Sequence, residues 1–453
     1  MTQQVATPAS QPTQSLSQFD AIAMIVGIVV GIGIFTFPAL VAMNAASERD
    51  VLLLWAGGGL ISLIGALCYA ELSSAYPSAG GEYHFITRAF GRDVGLIFAW
   101  ARLGVIQTGA IALVCFILGD YATQLYSLGT YSSAIYAALT VIVLTSANLL
   151  GAKPGKTLQN LLSSGIIIIL VAAILGGLIN GLPPASAPAA PAAGSAAPAT
   201  AIGAAMIFIL LTYGGWNEAA YLSAEVKNPA RNMVRVMVVS LLLITLLYVL
   251  VNVSYLRVLG LDGMRQGTTI GAELMRREFG AAGALVLSLA VILAALSTAN
   301  ATIFTGARTN YALGQNFAPL AALGAWDPKH DTPRAALLVQ GAISLALVVV
   351  GAITLDGVKA MVNYVTPVFW FFMLLVALSV FVLRVRDPQT PRPFRVPLYP
   401  VTPAVFVLTC GYMLHSGIDF ARMTYAGLPS LLGLGIVLLG VPLLVWGRLR
   451  AKA

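Results

Sequence analysis

Charge is scarce in this chain. Of 453 residues only 9% are Asp, Glu, Lys or Arg, against roughly 25% in soluble globular domains, so a large water-exposed domain is excluded. Histidine and cysteine number three each. His84, His330 and His415 are far apart, which removes the clustered ionisable residues that a membrane enzyme or an ion-translocating subunit needs. Cys68, Cys115 and Cys410 each lie inside an apolar stretch without a CxxC pair, so neither a disulfide framework nor a metal site is indicated. No basic run supports nucleic-acid binding, and HExxH, GxSxG and Walker-type loops are absent. The expectation is a protein that is not an enzyme and holds no cofactor.

Apolar residues are abundant instead: 58% of the chain is hydrophobic and the mean hydropathy is +0.88. At about 20 residues per membrane span, the apolar segments read as about twelve transmembrane helices. They fall near 21–45, 51–75, 93–124, 132–151, 158–180, 201–223, 235–256, 280–311, 334–354, 360–383, 401–418 and 427–447. An even number puts both termini on one side. About 17 of the 25 Lys and Arg then fall on that side and about 7 on the other, with Arg102 inside a span, so both termini are expected to be cytoplasmic. Residues 1–18 are Gln-, Ser-, Thr- and Pro-rich without a basic n-region and read as a disordered cytoplasmic tail rather than a secretory signal. Residues 182–200, LPPASAPAAPAAGSAAPAT, read as a flexible outer loop.

That loop separates five spans from seven. If spans 1–5 match spans 6–10, their odd number turns the second copy upside down, which predicts an all-α membrane protein built on a five-plus-five inverted repeat. The repeats would occupy 19–181 and 201–384, with 385–453 holding spans 11 and 12 and a cytoplasmic tail. Both repeats open on a span weakened by glycine. Span 1 carries Gly27, Gly31 and Gly33, with Pro38 beyond, and span 6 carries Gly214 and Gly215 beside Thr212, Asn217 and Glu218. Unwound backbone at membrane depth is tolerated only where it lines a cavity, so paired breaks predict a central polar site. The amides of Ile32, Gly33 and Ile34, at a positive half-helix end, suit a carboxylate. The carbonyls of Leu211, Thr212 and Gly214 suit an ammonium group. The plainer reading is that these glycines only pack helices closely.

The motifs GIVVGIGIFTFPALVA (27–42), YAELSSAYPSAGGEY (69–83), YGGWNEAAYLSAEVKNPARN (213–232), FTGARTNYALGQN and RPFRVPLYP carry a resemblance over nearly the whole chain. It resembles the amino acid/polyamine/organocation (APC) superfamily, most closely the L-type amino acid transporter-like branch. The resemblance implies a sodium-coupled leucine transporter type fold with two extra C-terminal helices, working by alternating access. The family's first-helix motif falls on Gly31, Ile32, Gly33, Ile34 and Phe35, with Ile32 in place of a serine. Its sixth-helix motif falls on Leu211, Thr212, Tyr213, Gly214, Gly215, Trp216 and Asn217, with Leu211 in place of an aromatic gate residue. Small or medium neutral amino acids therefore become as suitable as large ones. The position at which sodium-independent relatives carry a lysine falls on Ile166, near Ser163 and Ser164. A sodium bound by Ser297 and Thr298, a proton on a carboxyl group, and uncoupled exchange all stay open.

The remaining polar residues each admit a functional and a structural role. Glu218 is expected to carry a proton, bind an amine or pair with a cation from a neighbouring helix, and Arg102 to snorkel or meet Glu218 or Glu71. Gln107, Asn300 and Tyr213 face the site or bond between helices. Glu71 is a gate ion pair or an exposed helix-end charge. Segment 77–92 resembles a short amphipathic interface helix carrying His84. The leading expectation is a secondary amino acid transporter of the cell membrane, embedded in the bilayer, with any partner subunit unknown. A polyamine or amine permease, a non-transporting amino acid sensor and an ion-translocating subunit are the rivals.

Overall fold

A computed structural model describes residues 17–78, 80–151, 156–180, 199–218, 220, 226–267, 269–423 and 428–452. Most of the expected tail and Pro/Ala loop, and the Ser163 side chain, lie outside the described residues. Fifteen α-helices are present among the described residues. They are α1 (Gln18–Val29), α2 (Phe37–Met43), α3 (Glu48–Ala75), α4 (Gly81–Phe90), α5 (Arg92–Ala101), α6 (Gln107–Leu125), α7 (Ser132–Leu149) and α8 (Lys156–Asn180). Then follow α9 (Ala199–Tyr213), α10 (Pro229–Arg265), α11 (Ile270–Asn316), α12 (Arg334–Thr354), α13 (Gly357–Arg386), α14 (Val401–Met423) and α15 (Leu428–Lys452). A π turn, Arg102–Ile106, joins α5 to α6 in one rod.

Nine of these rods are long and apolar enough to cross a membrane, and Gln18–Val29, Ser164–Ile179 and Ala201–Tyr213 are shorter apolar helices. All twelve expected apolar segments are thus helical among the described residues. Local sequence sets several ends. Ser17 and Asp20 form a reciprocal cap on α1, Ser47 caps α3, and Asp356 accepts from the Lys359 amide to start α13. The stretch between the seventh and eighth apolar segments is helical in two parts: α10 continues through a kink at Gly260 to Arg265, and α11 begins at Ile270 and bends at Gly280.

Close packing at two adjacent glycines holds α9 and α10 against α3. A methyl group on Gly58 would lie 2.3 Å from Ile209, and one on Gly59 would lie 2.3 Å from Thr245. Without a hydrophobic driving force between helices in lipid, such backbone approach supplies the dispersion contacts that hold them together. Trp55 on α3, Tyr213 on α9 and Tyr248 on α10 fill the space beside this contact, with ring centroids 5.0–6.0 Å apart. This packed wall is the support for both helix breaks.

Candidate functional site

The first break follows α1. Val30 leaves helical geometry (φ −74°, ψ 77°), Gly31 is extended (φ −108°, ψ −158°), and a 3₁₀ turn runs Ile32–Phe35 before α2 begins. Thr36 N donates to Gly33 O at 3.1 Å. In such an i→i+3 turn the amides of Ile34 and Phe35 are likewise used internally. The amides of Ile32 and Gly33 stand at its N-terminal end without an internal acceptor. Ile34 is a correction to the expectation: its amide belongs to the turn and its side chain is fully buried.

The second break follows α9. Gly214 N donates to Leu211 O (3.1 Å) and Glu218 N to Gly215 O (3.1 Å), closing a tight turn into the 3₁₀ segment Trp216–Glu218. Gly215 sits at φ +105°, where a side chain is strained, and a methyl group there would approach Ile28 to 3.0 Å. Its amide donates to Asn217 Oδ1 at 3.3 Å.

Three buried tyrosines serve the carbonyls that the breaks expose. The Tyr248 hydroxyl lies 2.8 Å from Val29 O and 3.1 Å from Thr212 O, so one group bridges both breaks. Tyr255 donates to Ile34 O (3.2 Å) and Tyr121 to Phe35 O (2.7 Å). Each unsatisfied carbonyl in an apolar interior would carry a penalty of about 1–3 kcal/mol, so these hydroxyls make the irregular backbone tenable.

Both breaks open on one cavity of about 560 Å³, within the range of small-molecule sites. Gly31, Ile32, Gly33, Leu211, Thr212, Gly214, Asn217 and Gln107 line it, as do Arg102, Glu218, Ser297, Thr298 and Ile166. Apolar side chains also line it, among them Phe98, Leu113, Ile117, Phe369 and Phe372. Gln107 donates to Thr302 O at 3.0 Å, tying α6 to α11.

Other expected residues stand elsewhere. Tyr213 points away from the cavity and donates to Trp55 O (3.0 Å). Trp216 packs edge-on against Tyr69 with centroids 5.0 Å apart. Asn300 accepts from Asn148 at 2.7 Å, joining α7 to α11. Ser164 is exposed and outside the lining. Glu71 is remote from the cavity and 2% exposed, which overturns the reading of an exposed helix-end charge. It accepts from Arg384 Nε (2.8 Å) and Nη2 (2.6 Å) and from Val396 N (2.7 Å).

Glu82 was missed by the sequence reading, which placed it on an interface helix. The structure buries it at the start of α4, on the cavity wall, accepting from Tyr69 (2.7 Å) and Asn217 Nδ2 (3.0 Å). Its position straight after a Gly-Gly pair, where a chain can turn inward, was the available signal. Arg102 and Glu218 meet across the cavity at 3.8 Å, as one of the expected pairings proposed. Among the described residues no group of His, Cys, Asp and Glu could hold a metal ion.

An all-helical membrane protein with a polar cavity between two interrupted helices has the make-up of a small-solute carrier. The amino acid permease family matches residues 16–441, and the chain belongs to that family, within the APC superfamily. It is 29% identical over 402 residues to the b(0,+)-type amino acid transporter 1 of Mus musculus, covering 87% of this chain and 80% of that protein. It is 26% identical over 440 residues to the serine/threonine exchanger SteT of Bacillus subtilis (strain 168), covering 96% of each. It is also 26% identical over 439 residues to the large neutral amino acids transporter small subunit 2 of Homo sapiens, covering 94% of this chain and 79% of that protein. The chain is therefore a multi-pass membrane amino acid transporter and not an enzyme.

Proposed function

We propose that this protein is a secondary active transporter of neutral amino acids, moving substrate by alternating access as a symporter or exchanger. The substrate carboxylate sits on the amides of Ile32 and Gly33. The ammonium group meets the carbonyls at the end of α9, and the side chain faces the apolar residues of the lining. One observation carries this reading: the two helix breaks, bridged by the Tyr248 hydroxyl, open on the same cavity. A positive helix end and a negative one then face one space, which suits a zwitterion. The many apolar residues in the lining support a neutral side chain.

The positions of the breaks, at the end of the first helix and at the end of the first helix after residues 181–198, support a five-plus-five inverted repeat followed by two further helices. The excess of Lys and Arg on one side supports cytoplasmic termini. Coupling candidates on the cavity are Glu218, Arg102, Ser297 and Thr298.

The test is counterflow in liposomes: purified protein, labelled external amino acids, and a panel of unlabelled internal ones, repeated with imposed proton and sodium gradients. Saturable counterflow of neutral amino acids is expected, and acceleration by one gradient would identify the coupling ion. Binding without flux in folded, inserted protein would make it a sensor, and flux of amines alone would make it an amine permease.

A further inference from the structure

Glu278 stands on α11 outside the lining of the cavity, and the proposed reading does not use it. Both of its carboxylate oxygens are buried, and neither has a hydrogen-bond partner among the described residues. Glu71, by contrast, accepts three short bonds. An ionised carboxylate shut away from water without donors carries so large a desolvation cost that the group takes up a proton instead.

Helix packing seats this carboxyl on bare backbone. Residues 270–279 are the opening turns of α11, set off from the rest by the bend at Gly280 (φ +69°). A methyl group on Gly176 of α8 would lie 2.5 Å from Glu278 Oε2, and one on Gly177 would lie 2.5 Å from Ser254 Cβ on α10. The two glycines thus let α11 and α10 approach α8 side by side. At the other end of the same segment, a methyl group on Gly271 would lie 2.8 Å from the Phe35 ring, in the turn of the first break. The polar groups around the seat serve other partners. On α10, Ser254 donates to Ile174 O (3.1 Å) and Tyr255 to Ile34 O (3.2 Å), Arg257 is exposed, and Arg265 meets Asp262 at 2.9 Å. On α11, Arg276 and Arg277 approach Glu273 to 3.5 and 3.2 Å. From α6, Tyr121 donates to Phe35 O at 2.7 Å. Residues 170–177 of α8 carry no titratable side chain. No set of His, Cys, Asp and Glu that could hold a metal ion accompanies Glu278 among the described residues, which leaves the proton as the cation it binds.

We propose that Glu278 is a proton-binding site whose proton latches residues 270–279 onto α8. With the proton on, the neutral carboxyl stays seated against Gly176, and the contact of Gly271 with Phe35 braces the turn that follows the first break. When the proton passes to water, the carboxylate left behind must reach water too. The segment then lifts about the bend at Gly280 and the brace on Phe35 loosens. Gly176 stands about one turn before the end of α8 at Asn180. The proton is therefore taken from, and returned to, the side of the membrane that carries residues 181–198, so the site gates the carrier by pH without moving a proton across. The effect on flux rests on the carrier reading above, and the proton site itself does not.

The experiment compares full-length wild type with Glu278→Gln in nanodiscs, first by infrared difference spectroscopy and then by amide hydrogen exchange. At neutral pH wild type should show the carbonyl band of one protonated carboxylic acid that Glu278→Gln lacks, and the band should disappear as pH rises. At alkaline pH the amides of 270–279 should exchange faster in wild type than in Glu278→Gln, and at neutral pH the two should exchange alike. Gly176→Ala displaces the carboxyl from its seat. It should lose the band and speed exchange already at neutral pH, and it carries the test if Glu278→Gln does not fold. In liposomes, counterflow should fall at alkaline pH in wild type and keep its neutral-pH rate in Glu278→Gln. An identical carbonyl region in wild type and Glu278→Gln overturns the proton site, and identical exchange at alkaline pH overturns the latch. No counterflow at any pH, with the band and the exchange as expected, overturns the carrier reading and leaves the latch standing.

Discussion

The hydroxyl of Tyr248 on α10 sits between two carbonyls from different helices, 2.8 Å from Val29 O and 3.1 Å from Thr212 O. It is fully buried and has one proton to give, so the two acceptors share it. This residue holds the ends of α1 and α9 side by side, and the cavity between the breaks depends on that spacing.

Tyr248→Phe keeps the ring and its edge contacts with Trp55 and Tyr213 but removes the bridging donor. Leaving buried carbonyls without it should destabilise the protein by about 1–3 kcal/mol. A thermal melt in detergent should show a lower midpoint, and counterflow should slow because the two breaks are no longer held in register. An unchanged midpoint would mean that another donor serves both carbonyls.

Two glycines of the first break should respond differently to added bulk. A methyl group on Gly31 meets nothing closer than its own chain's carbonyls at 3.9 Å, whereas one on Gly33 lies 3.1 Å from the Phe37 ring and 3.6 Å from Thr212. Gly33→Val should therefore put its methyl groups where a substrate carboxylate approaches the amides. Affinity should fall by about 100-fold or more, equivalent to about 2.7 kcal/mol, while Gly31→Ala should keep the fold and most of the affinity. Direct binding measurements decide it, and wild-type affinity in Gly33→Val would remove this break from the binding site.

The break positions were legible in sequence because glycines recur in the opening span of each expected repeat, in the second beside polar residues; a glycine pair alone marks no break, since Gly58 and Gly59 pack a continuous helix. Gly31, Gly214 and Gly215 lie within two residues of the ends of α1 and α9, and Gly33 falls inside the turn that follows α1. The directions of side chains beside the breaks were not legible. Tyr213, the last residue of α9, turns to the Trp55 carbonyl, and Trp216, past the break, turns to Tyr69; beyond a break the helical phase shifts, so spacing no longer tells which face a residue takes. Asn300 looked like a site residue, and its true partner, Asn148, lies 152 positions away. Glu82 looked interfacial because α4 is short and amphipathic; only tertiary packing brings its first turn against Tyr69 and Asn217. The carbonyl-binding roles of Tyr121, Tyr248 and Tyr255 were hidden for the same reason.

Glu71 and Glu218 should part sharply when each is neutralised. Glu71 accepts three short bonds, from Arg384 twice and from Val396 N, and is 2% exposed. Glu71→Gln leaves the Arg384 guanidinium facing an amide, and breaking one side of a buried pair typically removes about 3–5 kcal/mol. Glu218 is 42% exposed, and its ion pair among the described residues is the 3.8 Å approach of Arg102. Glu218→Gln should thus change stability by less than about 1 kcal/mol. Parallel thermal melts of the two variants test the contrast, and equal losses would show that the Arg102 contact is as closed as that of Arg384.

His84, on the short helix α4, provides a pH dependence whose sign is set by its surroundings. Burial, and then the charge of Arg88, lower its pKa below the ordinary 6.5, and Arg88 is itself held by Asp387 at 2.7 Å. The unfolded chain then takes up a proton near the ordinary value while the folded chain resists until lower pH. Between the two, unfolding binds protons, so stability rises with pH. The contribution is complete above about pH 6.5 and is lost as pH falls through the lowered value. Asp387 and Asp327 do not interfere in that window. The Arg88 hydrogen bond holds Asp387 below its usual range, and His330, the Lys329 amide and Arg334 hold Asp327 down to about 2. Going from pH 7.5 to pH 5, wild type should therefore lose more of its melting temperature than His84→Gln does, while the two melt nearly alike at pH 7.5. If the slope between pH 5 and 7.5 is the same in His84→Gln, the acid sensitivity belongs to a different group and His84 is accessible to protons in the folded state.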